Sequence, residues 1–214
     1  TAEASFVYAV SDGRGGSATA RVSIEFASTD TVVGSDYRDT IDRTQATERQ
    51  VVDALGGHDI VTGSAYADDI TGGDGEDHLS GGDGDDVFRV DGDAGLDHVD
   101  GGAGVDRLQG GDGDDVIGLR ELANIEVIDG GAGTNRIVGT SHRDRLDFSA
   151  VEVTNIAVID GAGGHDILTG SAGDDVFRGG SGADQIAGGA GVDMAMFDGN
   201  YADYTVTQKD GGVD

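Results

Sequence analysis

Carboxylates recur along this chain at a nine-residue interval, each two places ahead of a large apolar side chain. Residues 72–80 read GGDGEDHLS, 81–89 GGDGDDVFR, 101–109 GGAGVDRLQ, 110–118 GGDGDDVIG and 179–187 GGSGADQIA. All fit G-G-x-G-x-D-x-U-x, with U large and apolar. Oxygen donors at such regular spacing suit a hard cation, and calcium takes about six to eight of them. Composition points the same way, since 42 acidic residues against 13 basic ones give a net charge of −29. That charge excludes a nucleic-acid surface and disfavours anionic membranes. There is no cysteine, so neither disulfides nor zinc–thiolate sites can staple the fold.

Other chemistries fit less well. Adjacent carboxylates such as Asp85–Asp86, Asp114–Asp115 and Asp174–Asp175 have the look of an acid–base pair. The register instead gives the second of each pair to a cation and leaves the first in a turn. No G-x-S-x-G elbow and no H-E-x-x-H motif occurs. Asp83, Gly84 and Asp85 resemble the start of an EF-hand loop, but no glutamate stands at its end. His58 and His165 take the variable fifth position and His78 and His98 the outward seventh, which predicts solvent exposure. His142 stands in a degenerate repeat. The basic residues are scattered singly, as surface decoration. No catalytic constellation emerges, and the reading is of a non-enzyme.

The elements that position these aspartates follow from the same period. Each nonapeptide divides into a turn, G-G-x-G-x-D, and a short strand, x-U-x. Glycine suits a turn that passes through positive φ and approaches a neighbouring backbone. The strand points one residue inward: Val61, Ile70, Leu79, Phe88, Val99, Leu108 and Ile117 in a first block, then Leu168, Phe177 and Ile186 in a second. One apolar side chain per strand makes a thin core, each contributing about 1.5–3 kcal/mol. Tryptophan is absent and aromatics are few, which excludes a thick globular interior. No stretch approaches the roughly 20 apolar residues of a membrane span, and no signal peptide is visible at the N-terminus.

The organisation divides into six stretches. In residues 1–26 two alternating apolar runs flank a glycine-rich bend from Ser11 to Gly16, which predicts a β-hairpin. A lone hairpin is marginal in water, so its companion strands are expected upstream, and the abrupt ends suggest a fragment of a longer protein. Residues 27–53 are a degenerate lead-in, where GSDYRDTID at 34–42 fits the repeat loosely. Residues 54–118 form the first block, with two extra residues at Val90 and Asp91 expected to disturb the pairing locally. Residues 119–160 hold interrupted repeats, in which Asn135 replaces one aspartate. NIEVIDGGAG at 124–133 echoes NIAVIDGAGG at 155–164, so a longer unit overlies the nine-residue one. Residues 161–196 form the second block, with Ala195 weakening its last apolar position, and 197–214 close it.

The nonapeptide resembles the calcium-binding repeat of the RTX, or hemolysin-type, family. The resemblance implies an all-β fold, a parallel β-roll stapled by calcium with about 18 residues per coil, preceded here by the short hairpin. It also implies ions held between same-side turns of adjacent coils by sixth-position aspartates and turn carbonyls. By motif position these aspartates are Asp59, Asp68, Asp77, Asp86, Asp97, Asp106 and Asp115, then Asp166, Asp175, Asp184 and Asp193. Such runs accommodate about seven Ca2+ ions, lowering the net charge to roughly −15. The family's usual setting implies a secreted bacterial protein exported unfolded by type I secretion machinery and folded by calcium outside the cell. The string FVYAVSDGRGGSATARVSIEF resembles the last two strands of cadherin-like repeats in large bacterial surface proteins, an unrelated hairpin being the alternative. The NIE-type insertions are similar to those of giant RTX adhesins, and FDGNYADYTVT at 197–207 resembles the segment that closes RTX blocks. An adhesin or other large surface protein is therefore the favoured setting. The alternative is an accessory block of an exported protease, lipase or alginate epimerase, with catalysis in sequence outside this chain.

Overall fold

Short parallel strands stack into a solenoid, as expected of a chain that offers one inward apolar residue every nine. The structure, a computed structural model, describes residues 2–11, 17–26, 30–90 and 95–198. The described residues contain strands and turns and no helix. The N-terminal hairpin pairs Ala2–Ser11 antiparallel with Ser17–Phe26, from Ala2 opposite Phe26 to Ser11 opposite Ser17. Its glycine-rich bend lies outside the described residues, as do most of 197–207.

The roll begins in the lead-in. Strand Asp30–Ser35 pairs with Gln50–Gly57, and Thr40–Asp42 pairs with Ile60–Thr62. Two parallel sheets then grow back to back. On one face the inward column runs Val32, Val52, Ile70, Phe88, Leu108 and Ile128. On the other it runs Ile41, Val61, Leu79 and Val99. Beyond half-buried Val32, both columns form the buried core, with Val61, Ile70, Phe88 and Ile128 at 0 % exposure. U is the one buried position of most three-residue strands, as at Val87–Arg89, where the pattern is half-buried, buried, exposed. Across the coils outside, Arg89 clasps Asp69 with two hydrogen bonds of 2.6 and 2.8 Å.

The coils are not uniform. The ladder steps 18 residues from Asp59 to Asp77, 20 from Asp77 to Asp97 and 22 from Asp144 to Asp166, where the repeat alone predicts 18 throughout. The insertion at Val90 and Asp91 leaves pairing intact on both sides: Phe88 still faces Leu108, and Leu79 faces Val99. The strands on either side keep their register.

The interruptions are built into the stack. Val116–Ala123 is one long strand whose first half pairs with Asn135–Val138 and whose second half pairs with residues 97–100. It is a joint that steps the second part of the roll sideways along the strand direction. Beyond it, one column holds Ile117, Ile137, Ile159 and Phe177, and another holds Leu146, Leu168 and Ile186. Leu119, Ile125 and Phe148 from the interrupted stretches are buried and thicken the core at the step.

Candidate metal centre

Each sixth-position aspartate stands at the corner where a turn ends and a strand begins, and strand stacking aligns these corners into edges. Along one edge the backbone N–H groups of Asp39, Asp59 and Asp77 donate to Oδ1 of Asp59, Asp77 and Asp97 at 2.7, 2.8 and 2.9 Å. Along the other, the N–H groups of Gln50, Asp68 and Asp86 donate to Oδ1 of Asp68, Asp86 and Asp106 at 2.6, 2.7 and 2.8 Å. Past the step, Asp144 and Asp166 donate to Asp166 and Asp184 at 2.9 and 3.0 Å, and Asp175 donates to Asp193 at 3.1 Å. Along these edges each coil thus hangs from a carboxylate of the next. Nine of the eleven aspartates expected from the motif are buried, Asp115 among them, and Asp184 and Asp193 are half-buried.

The second carboxylate oxygen carries the chemistry. Oδ2 of Asp59, Asp77, Asp86, Asp106 and Asp166 is buried and has no hydrogen-bond partner. Burying a charge without a partner is costly, and the group responds by holding its proton. Burial pushes the Asp86 and Asp97 carboxyls up to about 7, against the pull of one backbone N–H each and with the push of stacked neighbours. Burial likewise raises Asp77, Asp106 and Asp166. A row of carboxylate oxygens without a hydrogen-bond donor is what an all-oxygen calcium site can use, the ion taking the place of any proton held there. Among the described residues no three His, Cys, Asp or Glu side chains converge.

The turn that leaves Oδ2 free needs positive φ. Gly82 has φ +109°, and a Cβ there would run into the Ser64 carbonyl one coil away. Glycine answers both demands.

Several corner residues escape the strict motif. Asp39 and Asp144 sit in degenerate repeats yet enter the ladder. Glu126 accepts the Asp106 N–H through Oε2 at 2.8 Å, and its place two residues before Ile128 is the D-x-U spacing with glutamate substituted. Asn135 accepts the Asp115 N–H at 2.9 Å, and its Nδ2 donates to the Asn155 carbonyl at 3.1 Å and to that of Gly131 at 3.5 Å. The echo between the two interruptions also has a structural meaning. Asn124 and Asn155 both adopt positive φ, and their amides bond Asp100 and Asp129 of the preceding coil at 2.7 and 2.8 Å.

The adjacent aspartate pairs separate as the register requires. Asp86, Asp115 and Asp175 are buried at the corners, while Asp85, Asp114 and Asp174 are exposed and accept the N–H groups of Val105, Thr134 and Val192. His58 and His165 do the same work: each is exposed and accepts a backbone N–H through Nδ1, from Glu76 at 3.1 Å and Ala183 at 2.9 Å. Exposed His78 stacks on half-buried His98 with ring centres 4.6 Å apart.

A solenoid of parallel coils with buried, donor-poor aspartates along its corners defines a calcium-binding repeat module. The RTX calcium-binding nonapeptide repeat matches the chain in four copies, over residues 53–88, 89–118, 123–150 and 160–195. The chain belongs to this family, whose repeats bind calcium ions. The third copy spans much of the interrupted stretch, in keeping with strands that run through it. No curated protein matches the chain.

Proposed function

We propose that this chain is a non-catalytic module that folds when calcium reaches it outside a bacterial cell, stiffening a secreted adhesin or other large surface protein. One observation carries the reading: buried carboxylate oxygens without donors recur along both edges of a thin-cored roll. Calcium supplies there the positive charge that the protein's own groups leave out. Asp59, Asp77, Asp86, Asp97, Asp106 and Asp166 head the set that holds it, with Asp184 and Asp193 at the far end. The chain's own residues pre-align these oxygens, since each Oδ1 is tied to the neighbouring coil and only Oδ2 is left over.

Compartment follows from affinity. Extracellular calcium modules bind at about 10⁻⁴–10⁻³ M, so the chain stays unfolded in a calcium-poor cytosol and is fit to be threaded through a type I exporter. The antiparallel hairpin ahead of the roll and the two NIE-type corners support a long surface protein over an exported enzyme. Small-angle scattering in chelator and then in millimolar calcium tests the central claim. The expected result is an expanded chain that contracts into a rod. A rod of the same dimensions in both solutions would refute it.

A further inference from the structure

The corner aspartates fall into two classes, and the backbone φ of the residue at the second position of each repeat sorts them. Asp77, Asp86 and Asp106 follow Gly73, Gly82 and Gly102, all at positive φ, and their Oδ2 atoms have no partner. Asp59 and Asp166 behave alike after Leu55 (φ 74°) and Ala162 (φ 63°). A side chain in that region costs about 1–2 kcal/mol, so these two turns stay open against their own local preference. At positive φ the second residue's N–H is turned away from the carboxylate.

In the other class that N–H comes back, once from a glycine without positive φ, Gly111, whose N–H donates to Asp115 Oδ2 at 2.9 Å, and otherwise from hydroxyl residues that can add a second donor. Ser64 N–H donates to Asp68 Oδ2 at 2.6 Å. Thr140 donates to Asp144 Oδ2 through its N–H at 2.6 Å and adds its hydroxyl. Ser171 donates to Asp175 Oδ2 through its N–H at 2.7 Å and its hydroxyl at 3.0 Å. Ser35 holds Asp39 through both groups, at 2.6 and 2.8 Å. None of these four hydroxyl residues has positive φ. The positions are ordered too. Asp39 precedes the open corners at Asp59 and Asp77, Asp68 precedes Asp86 and Asp106, and Asp144 precedes Asp166.

Resting on the reading that these edges hold calcium, we infer that a serine or threonine at the second position closes its turn against the ion and caps a calcium column. The hydroxyl residue supplies from within the chain the donors that satisfy the carboxylate, so Asp68, Asp144 and Asp175 fold without metal while Asp77, Asp86 and Asp106 require it. The closed corners give the roll starting points that are complete before any ion arrives. Asn135 reaches the same end by another route, its amide bonding the carbonyls that an open turn leaves facing the site.

Two double variants test the sorting: Asp77→Asn with Asp86→Asn, and Asp68→Asn with Asp175→Asn. Calcium bound per chain is measured by equilibrium dialysis, with the wild type alongside. The expected result is a loss of bound calcium in the open-corner pair and the wild-type number in the closed-corner pair. Equal losses in the two pairs overturn the sorting while leaving calcium binding intact. A wild type that takes up no calcium overturns the underlying reading as well. Should the closed-corner pair not fold, amide exchange in calcium-saturated wild type decides. Slow exchange at Ser64, Thr140 and Ser171 supports closed turns, and fast exchange at all three overturns them.

Discussion

Protons should be able to stand in for calcium. In the metal-free roll, burial raises the Asp86 and Asp97 carboxyls from the ordinary 3.8 to about 7, whereas in the unfolded chain they return to the ordinary value. Between about pH 4 and about pH 7 the folded state therefore holds protons that the unfolded state has released, and stability falls as pH rises through that window. At about 1.4 kcal/mol per pH unit for each group, the gap amounts to roughly 4 kcal/mol per carboxyl as an upper bound, and water reaching the corners lowers it. Asp77, Asp106 and Asp166 add in the same direction. Domains are held by about 5–15 kcal/mol in all, so this swing is large enough to decide whether the roll forms. The assay is far-ultraviolet circular dichroism in excess chelator, stepped from about pH 8 down to about pH 5. The expected outcome is a gain of β signal as pH falls, and with saturating calcium a signal that is already complete at about pH 8. A chelated chain whose spectrum stays disordered to about pH 5, or is fully β-rich at about pH 8, would show that carboxylate repulsion and desolvation do not control folding.

Asn135→Asp replaces an amide donor with a buried charge, and the unmet groups should cost about 1–3 kcal/mol in chelator. Urea midpoints with and without calcium measure this, and the deficit should shrink when calcium is present. Phe88→Ala empties a site with 0 % exposure in the middle of one column and should destabilise the calcium-loaded roll by about 3–5 kcal/mol. That shift is read from the urea midpoint at fixed calcium. Gly82→Ala meets both a φ of +109° and the Ser64 carbonyl. It should raise the calcium concentration needed for half-folding, while Gly173→Ala, whose added Cβ meets only the Ser171 hydroxyl at 3.6 Å, should leave it nearly unchanged.

What the sequence made legible and what it hid divide along a physical line. The period between glycine, aspartate and U is enough to place Phe88, Leu108 and Phe177 inside and Asp86 and Asp106 at corners, because a stack of coils repeats its environment as its sequence repeats. The irregular parts were opaque for the same reason. Ile125 and Phe148 are core residues without a repeat position, visible only once the long strand Val116–Ala123 steps the roll sideways and opens space for them. Glu126 keeps the aspartate's spacing with one more methylene, which a strict motif discards but the ladder accepts, since the Asp106 N–H needs only an oxygen within reach. Least legible was the difference between corners that look identical. Asp68 and Asp86 share a motif position, a buried environment and the same Oδ1 bond, yet one Oδ2 has a donor and the other has none. The distinction is a backbone rotation at Ser64 against Gly82, four residues upstream. A motif that allows any small residue there reads as degeneracy what the chain uses as a choice: a hydroxyl residue satisfies its aspartate from within, and a residue at positive φ leaves it waiting for a cation.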